Sequence, residues 1–143
     1  MRVVLNRNTV INSVACSNTI TNGETEDYQV NIQNCTPVAF TLQPLDNDLD
    51  CGQNATFLVD VASSSGTPVY KWLVRSSATA PWTVVSDNSM YSGATTNTLT
   101  VNAPIAAYDG YQYRAAVTAS CSIPDSSDIA NLYVYPTDFT TFS

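Results

Sequence analysis

Two short runs do most to limit what this chain can fold into. In Tyr70-Lys71-Trp72-Leu73-Val74-Arg75 and again in Tyr111-Gln112-Tyr113-Arg114-Ala115-Ala116-Val117, alternate side chains are apolar or aromatic. Period-two alternation of this kind marks strands that bury one face and leave the other in water. The second run follows Asp109-Gly110, a turn signal. A tryptophan within one strand and a tyrosine just past a turn in another are the anchors of a two-layer β-sandwich. The indole packs between the sheets, and the tyrosine hydroxyl returns to backbone near the preceding turn. Trp72 and Tyr113 take those two roles.

The rest of the chain agrees with an all-β fold. Valine, threonine and tyrosine are abundant, whereas lysine occurs only at 71 and glutamate only at 24 and 26, so good helix formers are scarce. Val38 to Gln43 reads as a first strand closed by Pro44. Phe57, Val59 and Val61 alternate in a second, and Pro81 to Val85 follows the Trp72 strand. Leu99 with Val101, and Ala130 with Leu132 and Val134, supply two more inward faces. Residues 103 to 108 read as a connection of about one helical turn. Seven such strands take roughly 100 residues. The 143-residue chain therefore divides into a flanking β segment at 1–35, an immunoglobulin-like antiparallel β-sandwich at 36–136, and a tail at 137–143.

Net charge is -7 with a sequence pI near 4.1. That balance opposes approach to nucleic-acid phosphates and to anionic membrane surfaces, both of which attract basic patches. No apolar run reaches the ~20 residues that cross a bilayer, and residues 1 to 15 lack the apolar core of a secretory signal. Either such a signal has been removed or the chain is an internal piece of a longer one. Four cysteines without any histidine, and without Cys-x-x-Cys spacing, suit disulfides better than zinc. An oxidising, extracellular or cell-surface location follows.

Two stretches resemble known modules. Cys16 followed by Asn22-Gly23-Glu24-Thr25-Glu26-Asp27-Tyr28-Gln29-Val30-Asn31-Ile32 resembles the closing segment of the Gly-Glu-Val-Glu-Asp-Tyr domain of large secreted Bacteroidetes proteins, with Thr25 where that family has valine. From Cys51 to Val134 the layout resembles the Ig-like repeats of Bacteroidetes secreted and surface proteins. The residues that carry the likeness are Cys51-Gly52, Tyr70-Lys71-Trp72, Trp82-Thr83, the run from Tyr91 to Val101, Asp109 to Arg114, and Cys121. Ala115 stands where many immunoglobulin domains carry the inter-sheet cysteine, with Phe57 or Val59 opposite, so the central disulfide is absent. The resemblance implies a non-catalytic module that spaces, presents or attaches other domains, as in adhesion. Its partners would be neighbouring domains of the same chain, a surface protein or a glycan. The alternative is a carbohydrate-binding accessory module of a secreted polysaccharide-degrading enzyme.

If the strands bearing Phe57 and Tyr113 face each other, Cys51 and Cys121 fall at neighbouring strand ends, and Cys16 with Cys35 forms the second pair. Four cysteines allow three connectivities, and Cys35 with Cys51 is the main rival. A Cys16 to Cys121 link would contradict the domain layout.

Catalysis lacks its commonest base, since histidine is absent. Glu24 and Glu26 share one strand face in the flanking segment and read as solvated edge charges. No cofactor is implied. Asp46, Asp48 and Asp50, spaced two apart, could turn oxygens toward a calcium ion, although the glycine turn and distant bidentate acid of a calcium loop are missing. A sharper candidate is the outward face of the Trp72, Tyr113 and Leu132 strands. There alternation places Lys71, Arg75, Gln112, Arg114, Asn131, Tyr133 and Tyr135, suited to an acidic glycan or a neighbouring module. The bland reading is a solubilising sheet surface. Trp82 either covers the core beside Trp72 or stands exposed as a sugar-stacking ring.

Overall fold

The computed structural model describes residues 2–6, 23–27, 36–62, 66–120 and 122–136, and the chain divides into two compact units, Met1–Gln33 and Asn34–Ser143. In the first unit β1 (Arg2–Asn6) pairs antiparallel with β2 (Gly23–Asp27), Val4 opposite Thr25. The Tyr28 to Ile32 part of the flanking segment lies outside the described residues, as do Cys16, Cys35 and Cys121.

The second unit is an immunoglobulin-like sandwich. Its strands are β3 (Thr36–Pro37), β4 (Ala39–Leu42), β5 (Asn47–Asp50), β6 (Ala55–Leu58), β7 (Asp60–Ala62), β8 (Val69–Arg75), β9 (Thr83–Val84), β10 (Tyr91–Ser92) and β11 (Thr98–Val101). After a 3-10 turn at Ala106–Tyr108 come β12 (Tyr111–Thr118), β13 (Ser122–Ile123), β14 (Asp125–Ser126) and β15 (Ala130–Tyr135). One sheet runs in the order β5-β15-β12-β8-β9, with β14 also on β12. The other layer has the order β10-β11-β6, and β7, which continues beyond Val59, pairs with β4. Pairing is antiparallel except between β5 and β15 and between β3 and β13, which are parallel.

The alternating runs aim where expected. Trp72, Tyr113, Ala115, Val117, Ala130 and Leu132 from one layer, and Phe57, Val59, Leu99 and Val101 from the other, have no solvent exposure. Burying each large side chain stabilises the fold by about 1.5–3 kcal/mol relative to leaving it in water. With Ala115 in place of a cysteine, the seam is filled by rings: Phe57 stacks on Tyr113 at 4.7 Å and tilts against Trp72 at 6.4 Å. The indole Nε1 donates to the Thr96 carbonyl at 2.9 Å, so its one polar atom is satisfied.

One anchor departs from expectation. The Tyr113 hydroxyl does not return to backbone at the Asp109-Gly110 turn; its partner is the hydroxyl of Tyr91, 3.5 Å away. Burial, then the Tyr91 hydroxyl, push its pKa far above the usual tyrosine value. The turn is held by other means. Gly110, at φ +77°, donates its N–H to Leu132 O at 2.8 Å, and an Asp109 carboxylate oxygen accepts the Val134 N–H at 3.0 Å. Only glycine adopts that φ without strain.

Candidate functional site

The outer face of the five-strand path carries the candidate ligand residues, and its geometry starts from strand register. Gln112 lies opposite Arg75 on β8 and opposite Asn131 on β15, so three polar side chains line up across three strands. They bond in series. Arg75 Nε donates to Gln112 Oε1 at 2.7 Å, Gln112 Nε2 to Asn131 Oδ1 at 2.8 Å, and Asn131 Nδ2 to Asp46 Oδ1 at 3.0 Å. The same Asp46 oxygen accepts the Asn131 backbone N–H at 2.6 Å.

Trp82, just before β9, completes the centre of this face. The Arg75 guanidinium lies 4.5 Å and the Arg114 guanidinium 4.4 Å from its ring centroid, within the range of cation–π attraction. Neither expectation for Trp82 holds. The half-buried ring covers no core beside Trp72, and it does not stand bare for a sugar, because guanidinium groups lie over it. Arg114 Nε is buried and has no hydrogen-bond partner. Among the described residues Lys71, Arg75 and Arg114 form no ion pair, and they are the only basic residues between 36 and 136.

The remaining candidates share the sheet but not the centre. Lys71 pairs with Ala116, four residues up β8 from Arg75, roughly 13 Å at the rise of a strand. Tyr133 and Tyr135 lie at the opposite end on β15, 37% and 53% exposed. Tyr135 donates its hydroxyl to Asp48 Oδ1 at 3.2 Å, and the Asp48 charge raises its pKa.

The Asp46, Asp48 and Asp50 set, weighed above as a calcium site, lies along a strand, with Asp46 just before β5 (Asn47–Asp50). Leu49 enters the core at 7% exposure, Asn47 to Asp50 pair in parallel with Leu132 to Tyr135, and Asp46 and Asp48 are engaged by Asn131 and Tyr135. The three carboxylates do not converge, and no group of acids among the described residues is placed to hold a metal ion. Asn47 is a structural residue that sequence reading missed. Its amide accepts the Thr56 N–H at 3.2 Å and donates to the Thr56 carbonyl at 3.0 Å, tying β5 to β6.

The proposed Cys51–Cys121 bridge is corrected. Cys51 is a free thiol whose N–H donates to Tyr135 O, and Gly52 N–H donates to Pro104 O. This is the end of the sandwich where β12 begins. Ser120, just before Cys121, lies at the far end, packed on Gly66 in the β7–β8 connection. The eight residues of β12 span about 26 Å, whereas a disulfide needs Cα atoms within ~7 Å. The premise failed because β6 and β12 run in the same direction, so the entry of one and the exit of the other are opposite ends.

No protein-family model matches the sequence, and neither does any curated protein. Among solved structures the chain resembles the N-terminal Ig1-2 module of the Drosophila receptor protein tyrosine phosphatase DLAR. Identity is 20%, with 73% of this chain and 52% of that one covered, at a TM-score of 0.53. It is also similar to the N-terminal four Ig domains of Dscam1 isoform 6.9, with 19% identity, 69% and 25% coverage and TM-score 0.56. A third is domain D1 of Duf (Kirre), with 16% identity, 69% and 97% coverage and TM-score 0.53. The chain spans about half of the first of these and a quarter of the second. At such identities the likeness is one of fold.

Proposed function

We propose that this chain is a non-catalytic Ig-like interaction module of a larger secreted or cell-surface bacterial protein. It spaces or attaches neighbouring domains and meets its partner through the outer face of β8 and β12. The observation that carries this reading is the Arg75–Trp82–Arg114 cluster. In a chain of net charge -7, the cations of the sandwich gather on one sheet face, and among the described residues no carboxylate pairs with them. Guanidinium groups carry N–H donors in a fork that fits carboxylates, and two of them lie within 4.5 Å of one ring. The complementary partner is therefore an acidic protein surface, such as a neighbouring module. Titration with poly-L-glutamate tests this. We expect salt-sensitive binding that drops at least tenfold in the Arg75→Ala/Arg114→Ala double variant while the circular dichroism is unchanged; equal binding by the variant would overturn the assignment.

A carbohydrate-binding accessory role is the second reading, favoured by the exposed rings of Tyr133 and Tyr135. Retention on a neutral polysaccharide column, abolished by Tyr133→Ala, would support it in place of the first.

A further inference from the structure

The face that carries the Arg75–Trp82–Arg114 cluster is basic at one corner and acidic at the corner diagonally opposite. Asp48 lies opposite Tyr133 and Asp50 opposite Tyr135. Both tyrosines alternate with the core residues Leu132 and Val134, so the two carboxylates project to the outer side of the sheet. Asp46 joins them there through its bond to the Asn131 amide, and all three acids are exposed. Strand β5 is parallel to β15, β15 antiparallel to β12, and β12 antiparallel to β8, so β5 and β8 run the same way. The bonded series Arg75–Gln112–Asn131–Asp46 sets Arg75 level with Asp46. Asp48 and Asp50 therefore lie past that level, whereas Lys71 and Arg114, which is opposite Leu73, lie short of it. Three strand spacings, about 14 Å, separate β5 from β8.

A partner that is acidic throughout would satisfy the basic corner and meet repulsion at the other. A second copy of the chain answers both corners at once. Laid face to face about a two-fold axis that runs between the sheets, diagonal to the strands, each copy would set its three carboxylates over the three cations of the other. Such an isologous contact uses one patch twice and closes at two subunits. Apolar area on the same face would leave water in the contact: Tyr133 and Tyr135 are 37% and 53% exposed, and Val84, opposite Leu73, is 57% exposed.

We infer that two copies of this chain associate through this face. The inference rests on the reading of Arg75, Trp82 and Arg114 as a carboxylate-binding cluster, and it names those carboxylates as Asp46, Asp48 and Asp50 of the second copy. Four strand spacings by the length of β12 is about 19 Å by about 26 Å. The face thus offers roughly 500 Å² per copy and about 1,000 Å² in all, the lower limit for a specific interface. One such contact is weak, and it gains where many copies are tethered together.

Charge exchange tests the contact, read by sedimentation equilibrium of the full chain at up to about 1 mM protein in about 0.1 M salt. The wild-type chain is expected to show a reversible monomer–dimer equilibrium that weakens about tenfold or more near 1 M salt, where charges are screened beyond ~3 Å. Asp48→Lys/Asp50→Lys makes the face mainly basic, and Lys71→Glu/Arg75→Glu makes it mainly acidic; both leave Asp46 and Arg114 in place. Each variant alone is expected to stay monomeric. An equal mixture should dimerise again, and since the two charge changes cancel, it carries the total charge of two wild-type chains. Misfolded variants could not give that recovery. Dimerisation of either variant alone, a mixture that stays monomeric, or a wild-type chain that is monomeric at every concentration would overturn the inference. If that monomeric wild type still binds poly-L-glutamate, the cationic-face reading stands and only the choice of partner falls; if it binds neither, both fall.

Discussion

Phe57 shows how single residues set the stability of this sandwich. It replaces with ring contacts the cross-sheet attachment that a cysteine pair supplies elsewhere, touching both Trp72 and Tyr113 from the opposite layer. Phe57→Ala leaves a cavity between two rigid rings that cannot collapse into it. A loss of about 3–5 kcal/mol is expected in urea unfolding. A loss under 1 kcal/mol would show that the seam is loosely packed. Tyr113 adds a pH dependence. Its folded-state pKa is raised by burial, so the hydroxyl contribution is complete below an unfolded pKa of about 10 and is lost as pH rises above it. Stability should be flat from neutral pH to about 10, then fall by ~1.4 kcal/mol per pH unit for this one proton. Tyr113→Phe should remove that part of the alkaline slope, measured from urea midpoints across pH. An unchanged slope would assign the alkaline loss to other groups.

At the scale of elements, legibility tracked burial. Strands β8, β11, β12 and β15 could be read because their inward residues alternate without interruption, and the 3-10 turn fell within the connection expected at 103 to 108. Strand β5 was hidden. Its only core residue is Leu49, and the acids around it read as solvated until Asn131 and Tyr135 are seen donating hydrogen bonds to Asp46 and Asp48. The two-residue β10 was hidden by the Ser92-Gly93 turn signal, although Tyr91 and Ser92 pair with Val101 and Thr100. The candidate face was legible as a face, since alternation decides which side chains point outward. Its centre was not. Nothing in the sequence brings Trp82 over to Arg75 and Arg114, because that contact depends on β9 pairing Thr83 with Val74 and Val84 with Leu73. Asn47 belongs to the same hidden class, and its two bonds to Thr56 join β5 to β6 across the open edge. Replacing it with alanine should cost about 1–3 kcal/mol, at ~0.5–1.5 per bond, in urea unfolding. No change in midpoint would mean that β5 is held by β15 alone.

For the whole molecule, the acidic surplus and the cationic face act on a partner over different distances. At 0.01 M salt the Debye length is ~30 Å, so an approaching anionic chain feels the full net charge of -7 and is repelled. Near 0.1 M it is ~10 Å, and the distant aspartates are screened while Arg75, Arg114 and Trp82 remain within reach of a bound carboxylate. Near 1 M, at ~3 Å, the local attraction is screened as well. Affinity for poly-L-glutamate should therefore rise and then fall with added salt, with a maximum near 0.1 M, unlike the steady decline of a uniformly basic protein. Isothermal titration across that range checks it. A steady decline from the lowest salt would mean that the cationic face governs approach even against the acidic remainder. A steady rise would mean that it contributes no attraction of its own, and the proposed partner chemistry would fail with it.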